Sequence, residues 1–294
     1  MTISNNHKNK VSELKRKFEQ LRRGKEDLLH KIDEAEISEG VYNSNAIENS
    51  TLTLKDTERI LLQMELERDL DLREVFEAKN LARVMEYVRT KAHENLLDRD
   101  MILLLHEMLL TNIDDAIAGR FRGPNEYVRI GSHIAPPPEH LDRLIEQMLV
   151  DYASDTTSHI VEKISRMHLE FERIHPFIDG NGRIGRALIN HELIRSGFPP
   201  IIIRNRGKHD HYYPAFIEHV NDRKTTRMDK LLILDTLEAL HKRIAYLEGK
   251  EIIKLSDYAK QAGKSVPATL NSARRQTIPA FREKNTWKIG VNNN

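Results

Sequence analysis

Apolar side chains recur at three- and four-residue steps along most of this chain, a period that predicts helices rather than strands. Val11, Leu14, Phe18, Leu21, Leu28 and Ile32 keep that spacing, with Lys25 interrupting one core position. The run reads as a helix lying on its own domain, although two to three such heptads would also make a coiled-coil seam. A polar loop, SNAIENSTLTL, is expected at 44–54, after which Thr53 with Asp56 three residues on starts a helix carrying Ile60, Leu61 and Met64. Amphipathic stretches at 72–90 and 101–112 follow. The helical pattern breaks at 119–138, where three glycines and four prolines flank the alternating Tyr127, Val128, Arg129 and Ile130. This segment predicts a short β-hairpin or extended flap. Helices resume at 139–153, 158–174, 183–196, 209–221 and 225–248, the last closed by Gly249 as a C-terminal cap.

Beyond 250 the pattern changes to that of a small module. Ser256 is expected to cap a short helix with Tyr258, Ala259 and Ala262, ended by Gly263. Ser265 is expected to cap a second, with Pro267 early in it, running through Leu270 to Arg275. IPAFREKNTWKIG then reads as a hairpin with Asn285 and Thr286 near its turn and Trp287 in the module's core. The expected organisation is a helical region at 1–95, a catalytic core at 96–248 and this module at 252–294.

Composition narrows the chemistry. With 39% hydrophobic and 31% charged residues the chain supports a packed core, which excludes disorder throughout. The absence of cysteine excludes disulfides, iron–sulfur clusters, thiolate zinc sites and a cysteine nucleophile. No apolar run is long enough to span a membrane and the first residues lack a secretory pattern, so a cytoplasmic enzyme or regulator is expected. The net charge of +1 hides an asymmetry: residues 251–294 hold eight basic and three acidic side chains, leaving the first 250 residues slightly acidic. HELIR at 191–195 lacks the second histidine of a zinc-protease helix.

The segment richest in chemistry is HPFIDGNGRIGR at 175–186. Its flanks are helical, with Met167, Phe171 and Ile174 on one side and Ile189 and Leu193 on the other, so Asp179-Gly180 and Asn181-Gly182 form a tight loop between helices rather than a hairpin turn. Gly180 and Gly182 allow close backbone approach, and the amide groups opening the next helix make an anion site. Arg183 and Arg186 rise from the first turn and suit a polyphosphate. Asp179 offers a hard oxygen for Mg²⁺, and His175, fixed by Pro176, is a base poised near neutral pH. The set points to phosphoryl or nucleotidyl transfer without a P-loop.

HPFIDGNGRIGR resembles the signature loop of the Fic (Fic/Doc) family, HxFx[D/E]GNGRxxR, at every specified position. The resemblance runs from about residue 40 to 240. It implies an all-α fold with a short β flap and the transfer of AMP from ATP, with Mg²⁺, to a hydroxyl of a target protein. It implies His175 as general base, Phe177 as loop anchor, Asp179 as the Mg²⁺ ligand, and Asn181, Gly182 and Arg183 as phosphate-holding groups, with Gly180, Ile184 and Gly185 in the same nucleotide loop. Arg186 resembles the arginine that pairs with the γ-phosphate. Val128, Arg129, Ile130 and Gly131 are similar to the hairpin that covers ATP and docks the target by strand addition. Tyr212 and Tyr213 resemble the paired tyrosines beside the nucleotide, or are ordinary helix core, and Asn221 the asparagine after them, one residue late.

Upstream, SNAIEN at 44–49 has two compatible readings. As local structure it is a helix start, with Asn45 as N-cap and Glu48 as its reciprocal partner. As a resemblance it is the inhibitory motif [S/T]xxxE[G/N], met by Ser44, Glu48 and Asn49, which implies restraint of the enzyme through Arg186. The module at 252–294 resembles a winged helix-turn-helix of the excisionase or MerR kind. That resemblance implies DNA near Asn271, Arg274 and Arg275, with Arg282 and Lys284 on phosphates, unless the module only packs on the core or on targets. The partners implied are a target protein at the flap, the chain itself as a target, possible DNA and a possible homodimer, with no membrane. The alternatives to AMP transfer are a DNA-binding regulator or a relative that removes AMP.

Overall fold

The structure, a computed structural model, describes residues 5–66 and 68–292 and is mostly helical. In chain order it contains α1 (Asn5–Leu21), α2 (Glu26–Ile47), α3 (Leu54–Leu61), α4 (Leu72–Lys91), α5 (Arg99–Leu110), β1 (Arg129–Ile130), β2 (His133–Ile134), α6 (Leu141–Ser154), α7 (Ile160–Ile174), α8 (Asn181–Arg195), α9 (Tyr213–Asp222) and α10 (Thr226–Leu247). The chain closes with β3 (Glu251–Lys254), α11 (Leu255–Gln261), α12 (Val266–Arg274), β4 (Ala280–Glu283) and β5 (Thr286–Val291). One compact unit comprises residues 37–196 and 202–229; the other gathers the described parts of 1–36, 197–201 and 230–294.

In the first unit α8 is the central helix, packed against α4, α5 and α7. Every residue from Arg183 to Ile194 except Asn190 is buried, so the helix has no polar face to give to solvent. Its polar residues are instead satisfied inside: His191 Nδ1 lies 2.8 Å from Glu192, and the Tyr152 hydroxyl donates to Glu192 at 2.7 Å. Burial alone would raise the Glu192 carboxyl, yet these hydrogen bonds hold it below its ordinary value. Thr53 and Asp56 form the expected reciprocal cap of α3, with Asp56 N donating to Thr53 Oγ1 at 3.1 Å and Thr53 N to Asp56 at 2.9 Å. The expected flap is a two-stranded hairpin pairing Arg129 with Ile134 and Ile130 with His133, with Gly131 at φ 60° in its turn.

Two expectations are corrected in this unit. Residues 44–47 are not loop but the last turn of α2, and Asn49 (φ 69°) ends the helix in the left-handed region that C-terminal caps favour. SNAIEN is therefore a helix C-terminus, and Asn45 is buried with neither side-chain polar atom bonded, so it caps nothing.

In the second unit the run from Val11 to Ile32 breaks into two helices at residues 22–25, with Gly24 at φ 71°. Lys25 sits at an apolar position because its ammonium donates to the Leu247 carbonyl at 2.6 Å, satisfying the C-terminal end of α10. Arg243 is buried with Asp33 (2.7 Å) and Glu36, and Lys242 bridges Glu36 and Glu283 at 2.9 and 3.0 Å. The C-terminal elements form an antiparallel sheet in the order β3-β5-β4, with α11 and α12 inserted between β3 and β4. Leu255, Ala273, Ala280 and Ile289 make its core, and Trp287 packs half-buried against it beneath Arg282, 4.8 Å away. Ser256 lies inside the first turn of α11, which starts after Lys254, and the hairpin turns on Lys284 and Asn285 (φ 46° and 63°), with Thr286 opening the next strand. Among the described residues no helix is long and apolar enough to cross a membrane.

Candidate active site

The loop between α7 and α8 is built by local geometry. α7 ends when His175 takes a left-handed conformation (φ 50°), its N–H donating to Phe171 O at 2.9 Å. Pro176 then forbids continuation. Phe177 is fully buried and lies flat on His106, ring centroids 3.7 Å apart and planes 4° from parallel. Gly119 N donates to His106 Nδ1 at 3.1 Å, which leaves Nε2–H to donate to Asp179 O at 3.1 Å. Burial pulls the His106 pKa down to about 4, so the ring stays neutral and keeps that donor arrangement. Gly180 (φ 82°) caps α8 in a conformation that other residues adopt at a cost, and a Cβ there would meet Leu109 at 2.9 Å.

The Asn181 side chain closes on the loop itself. Its Oδ1 accepts from Phe177 N at 2.9 Å and its Nδ2 donates to Phe177 O at 2.8 Å, closing the loop from within. Gly182 and Arg183 present their N–H groups at the first turn of α8, where the helix dipole favours an anion. A carboxylate already lies there: a Cβ on Gly182 would fall 2.2 Å from Glu48 Oε1.

The two arginines of the loop are held differently. Arg186 is buried and donates to Glu48 Oε1 at 2.8 Å, to Ser44 Oγ at 3.0 Å, to Ser44 O at 2.9 Å and to the Tyr212 hydroxyl at 3.3 Å. Arg183 reaches Asp179 at 3.0 Å and Glu77 at 3.2 Å, while Arg73 reaches the same two carboxylates at 2.7 and 3.2 Å. Arg73, Glu77, Arg183 and Asp179 thus form a closed ring of charges between α4 and the loop.

Beneath Arg186 lies a polar layer on α7. The Tyr212 hydroxyl is 2.9 Å from His168 Nε2, and burial with the nearby Arg186 charge depresses His168 to about 3. Glu172 is 4.0 Å from His168 and 3.9 Å from His175 Nδ1, and its Oε1 has no hydrogen bond. Burial first, and the Glu48 charge second, push its carboxyl up to about 8. His175 Nδ1 lies 3.3 Å from Glu172 O, a contact in which the ring nitrogen is the donor and Nε2 is left as the acceptor. Burial lowers His175 to about 4, so at neutral pH it is an uncharged imidazole.

Comparison with known proteins places this loop. Residues 96–193 match the model of the Fic/DOC family. Over that span the chain is similar to a Fic/DOC family domain. The chain is 33% identical over 176 residues to a protein of Nematostella vectensis named protein adenylyltransferase Fic, covering 58% of this chain and 41% of that one. It is 31% identical over 185 residues to the Drosophila melanogaster protein of the same name, covering 62% and 37%. The match thus spans about two-fifths of those relatives. Among solved structures, a Fic domain-containing signalling protein of Bacteroides thetaiotaomicron superposes with a TM-score of 0.74 at 25% identity, over 82% of this chain and 98% of that one. A Fic family protein of Desulfovibrio desulfuricans shares the fold over 100% of this chain and 98% of its own, with a TM-score of 0.68 at 21% identity.

Several groups around this loop lie outside the matched span. Lys208 donates to Ala46 O, Ile47 O and Asn49 Oδ1 at 2.8, 3.0 and 2.8 Å, and the Tyr213 hydroxyl to Ile47 O at 2.6 Å. These bonds fix the end of α2 that carries Ser44 and Glu48. Tyr212 and Tyr213 are therefore neighbours of the Arg186 cluster, whereas Asn221 is exposed in the last turn of α9. Inside the span, sequence reasoning missed Arg122, whose buried guanidinium donates to the carbonyls of His175 (2.8 Å), Glu126 (2.8 Å) and Pro136 (2.9 Å) and so ties loop to flap. It also missed His106, His168 and Glu172. The last two carried a signal, being polar residues at helical spacing from His175 and close to the buried stripe of Met167, Phe171 and Ile174.

Proposed function

We propose that this chain transfers AMP from ATP to a hydroxyl side chain of a target protein, itself included, and that Glu48 restrains the reaction. The observation that carries the reading is the juxtaposition of the neutral His175 with the first turn of α8 and its two arginines. In the proposed step the target hydroxyl oxygen attacks the α-phosphorus, the bond to pyrophosphate breaks, and His175 Nε2 takes the hydroxyl proton. The α8 N-terminus, Arg183 and Arg186 serve the developing phosphate charge. Asp179 fits Mg²⁺: it is one partly exposed carboxylate, with no cluster of three acidic or histidine ligands among the described residues, which suits an ion that completes its shell with water and substrate phosphates. Bound there, Mg²⁺ would neutralise phosphate charge.

The β1–β2 hairpin, with Tyr127 and Ile134 exposed beside it, is the proposed docking edge for the target backbone. Restraint follows from position, since the Glu48 carboxylate occupies the anion site and engages Arg186. Incubation of wild type and Glu48→Gly with ATP and Mg²⁺, followed by intact mass, tests the function. An added AMP on the variant, lost in Glu48→Gly/His175→Ala, is expected. No added AMP on the variant or on any co-incubated protein rejects it.

A further inference from the structure

Between Asp257 and Glu283 the chain has no acidic residue and five basic ones, although it holds 45 acidic residues in all. The structure sorts these bases. Arg282 is taken up internally by Glu238, with Nε to Oε1 at 2.9 Å and Nε to Oε2 at 3.0 Å, and Lys288 on the next strand pairs with Glu283 at 2.6 Å. Neither is offered to a ligand, which overturns the expectation of Arg282 on a phosphate. The other four, Lys260, Lys264, Arg274 and Arg275, are exposed.

Their placement follows from the fold of the module. α12 buries Thr269 and Ala273, and leaves Pro267, Ala268, Asn271, Arg274 and Arg275 outside at steps of three and four. The turn before it, 260–265, is exposed throughout, and Lys264 rests 5.6 Å over the Tyr258 ring. One ridge therefore runs from Lys260 and Lys264 along α12 to Arg274 and Arg275, with Asn271 at its middle and no carboxylate on α12. We infer that this ridge binds duplex DNA, with α12 entering the major groove.

B-DNA admits a helix in its major groove, and an asparagine and arginines on the entering face match the acceptor patterns of adenine and guanine. The flanking lysines meet phosphates on either side. The deep, narrow major groove of A-form RNA does not admit the helix. The β4–β5 hairpin, with Lys284 and Asn285 at its exposed tip, stands where a wing would.

The test uses the full chain and a fluorescent duplex of random sequence, with anisotropy read across roughly 50–200 mM salt. On a duplex of random sequence, where binding is electrostatic, the two arginines as well as the two lysines neutralise phosphates, and four such contacts give a log–log slope of about −3 to −4. Lys264→Ala/Arg274→Ala/Arg275→Ala should flatten that slope by about 2–3 and weaken binding at least tenfold at low salt. Lys264→Glu alone, far from the module's core, should weaken it in the same direction, while AMP transfer is unchanged in both variants. Absence of saturable binding at the lowest salt overturns the inference and leaves the face to a protein partner. So does binding that both variants retain, or an A-form RNA duplex that competes as well as DNA.

Discussion

Glu48 and Arg186 stand 138 residues apart in sequence and 2.8 Å apart in space, and their meeting point is the N-terminus of α8. Arg186 is held from three directions, by Glu48, Ser44 and Tyr212, so its guanidinium is ordered before any ligand arrives. Of these partners Glu48 alone is a carboxylate, and Gly182 leaves it the room.

Removing that carboxylate should release the anion site without unfolding the chain. Glu48 is 39% exposed while Arg186 is buried and keeps its bonds to Ser44 and Tyr212, so losing the pair should cost on the order of 1–3 kcal/mol and lower melting by roughly 2–10 degrees. Misalignment by about 1 Å costs on the order of 10²-fold in rate, so Glu48→Gly should raise AMP incorporation roughly 10–100-fold. Glu48→Gly/Arg186→Ala should lose the gain. Melting temperature and AMP incorporation measured on the same samples decide it, and a variant with unchanged incorporation would leave Glu48 a purely structural partner of Arg186.

His175→Ala should lose about 10²–10⁴-fold in transfer, the usual contribution of a general base, while ATP affinity stays within a few-fold. Arg183, Arg186 and the α8 amide groups are untouched by the change. Calorimetric titration beside single-turnover transfer separates the two effects. Loss of ATP binding in step with activity would move His175 from base to ligand.

The loop 175–186 was legible because its geometry is written locally. A proline after the helix end, a glycine where φ must be positive and a helix start supply the backbone, and the charged groups lie within one turn of it. The hairpin and most helices were legible for the same reason. The end of α2 was not, since a polar run looks like a loop unless its partners are known. Asn43 accepts from Asn205 N at 3.1 Å and Ser44 from Arg186 at 3.0 Å, so these polar residues continue a buried helix on contacts from distant sequence. Lys25 misled in the same way, its reason being the Leu247 carbonyl. Arg73 and Glu77 were invisible because an i,i+4 ion pair on a helix ordinarily belongs to solvent.

Arg73 competes for the proposed metal ligand. It reaches Asp179 at 2.7 Å but is 54% exposed, so the contact is worth about 0.2–1 kcal/mol. Arg73→Gln should therefore lower the Mg²⁺ concentration for half-maximal transfer by up to about fivefold. A magnesium titration in the Glu48→Gly background measures it. A higher requirement in the variant would show that Arg73 helps to hold the nucleotide instead.

Glu172 should give the stability of the protein a pH dependence of identifiable sign. Its native carboxyl is raised from 4.5 to about 8, by burial first and by Glu48 second, against the opposing pull of Arg186. Between those values the native state holds a proton that the unfolded chain has released, so stability falls as pH rises. The buried imidazoles act oppositely: His106, His168, His175 and His241 are lowered to about 4, 3, 4 and 4, so stability rises with pH until the unfolded chain's histidines, ordinarily titrating at about 6.5, have released their protons. The two trends overlap between about 6.5 and 8, so the carboxyl is read from the difference between wild type and a variant that cannot titrate there, with a slope of at most about 1.4 kcal/mol per pH unit. Glu172→Gln keeps the shape and removes the titration. It should gain about 1–2 kcal/mol relative to wild type between pH 6.5 and 8, read from urea unfolding at the two values. Parallel pH dependence in wild type and variant would mean that Glu172 is ionised in the native protein, its charge balanced by Arg186 rather than suppressed by Glu48.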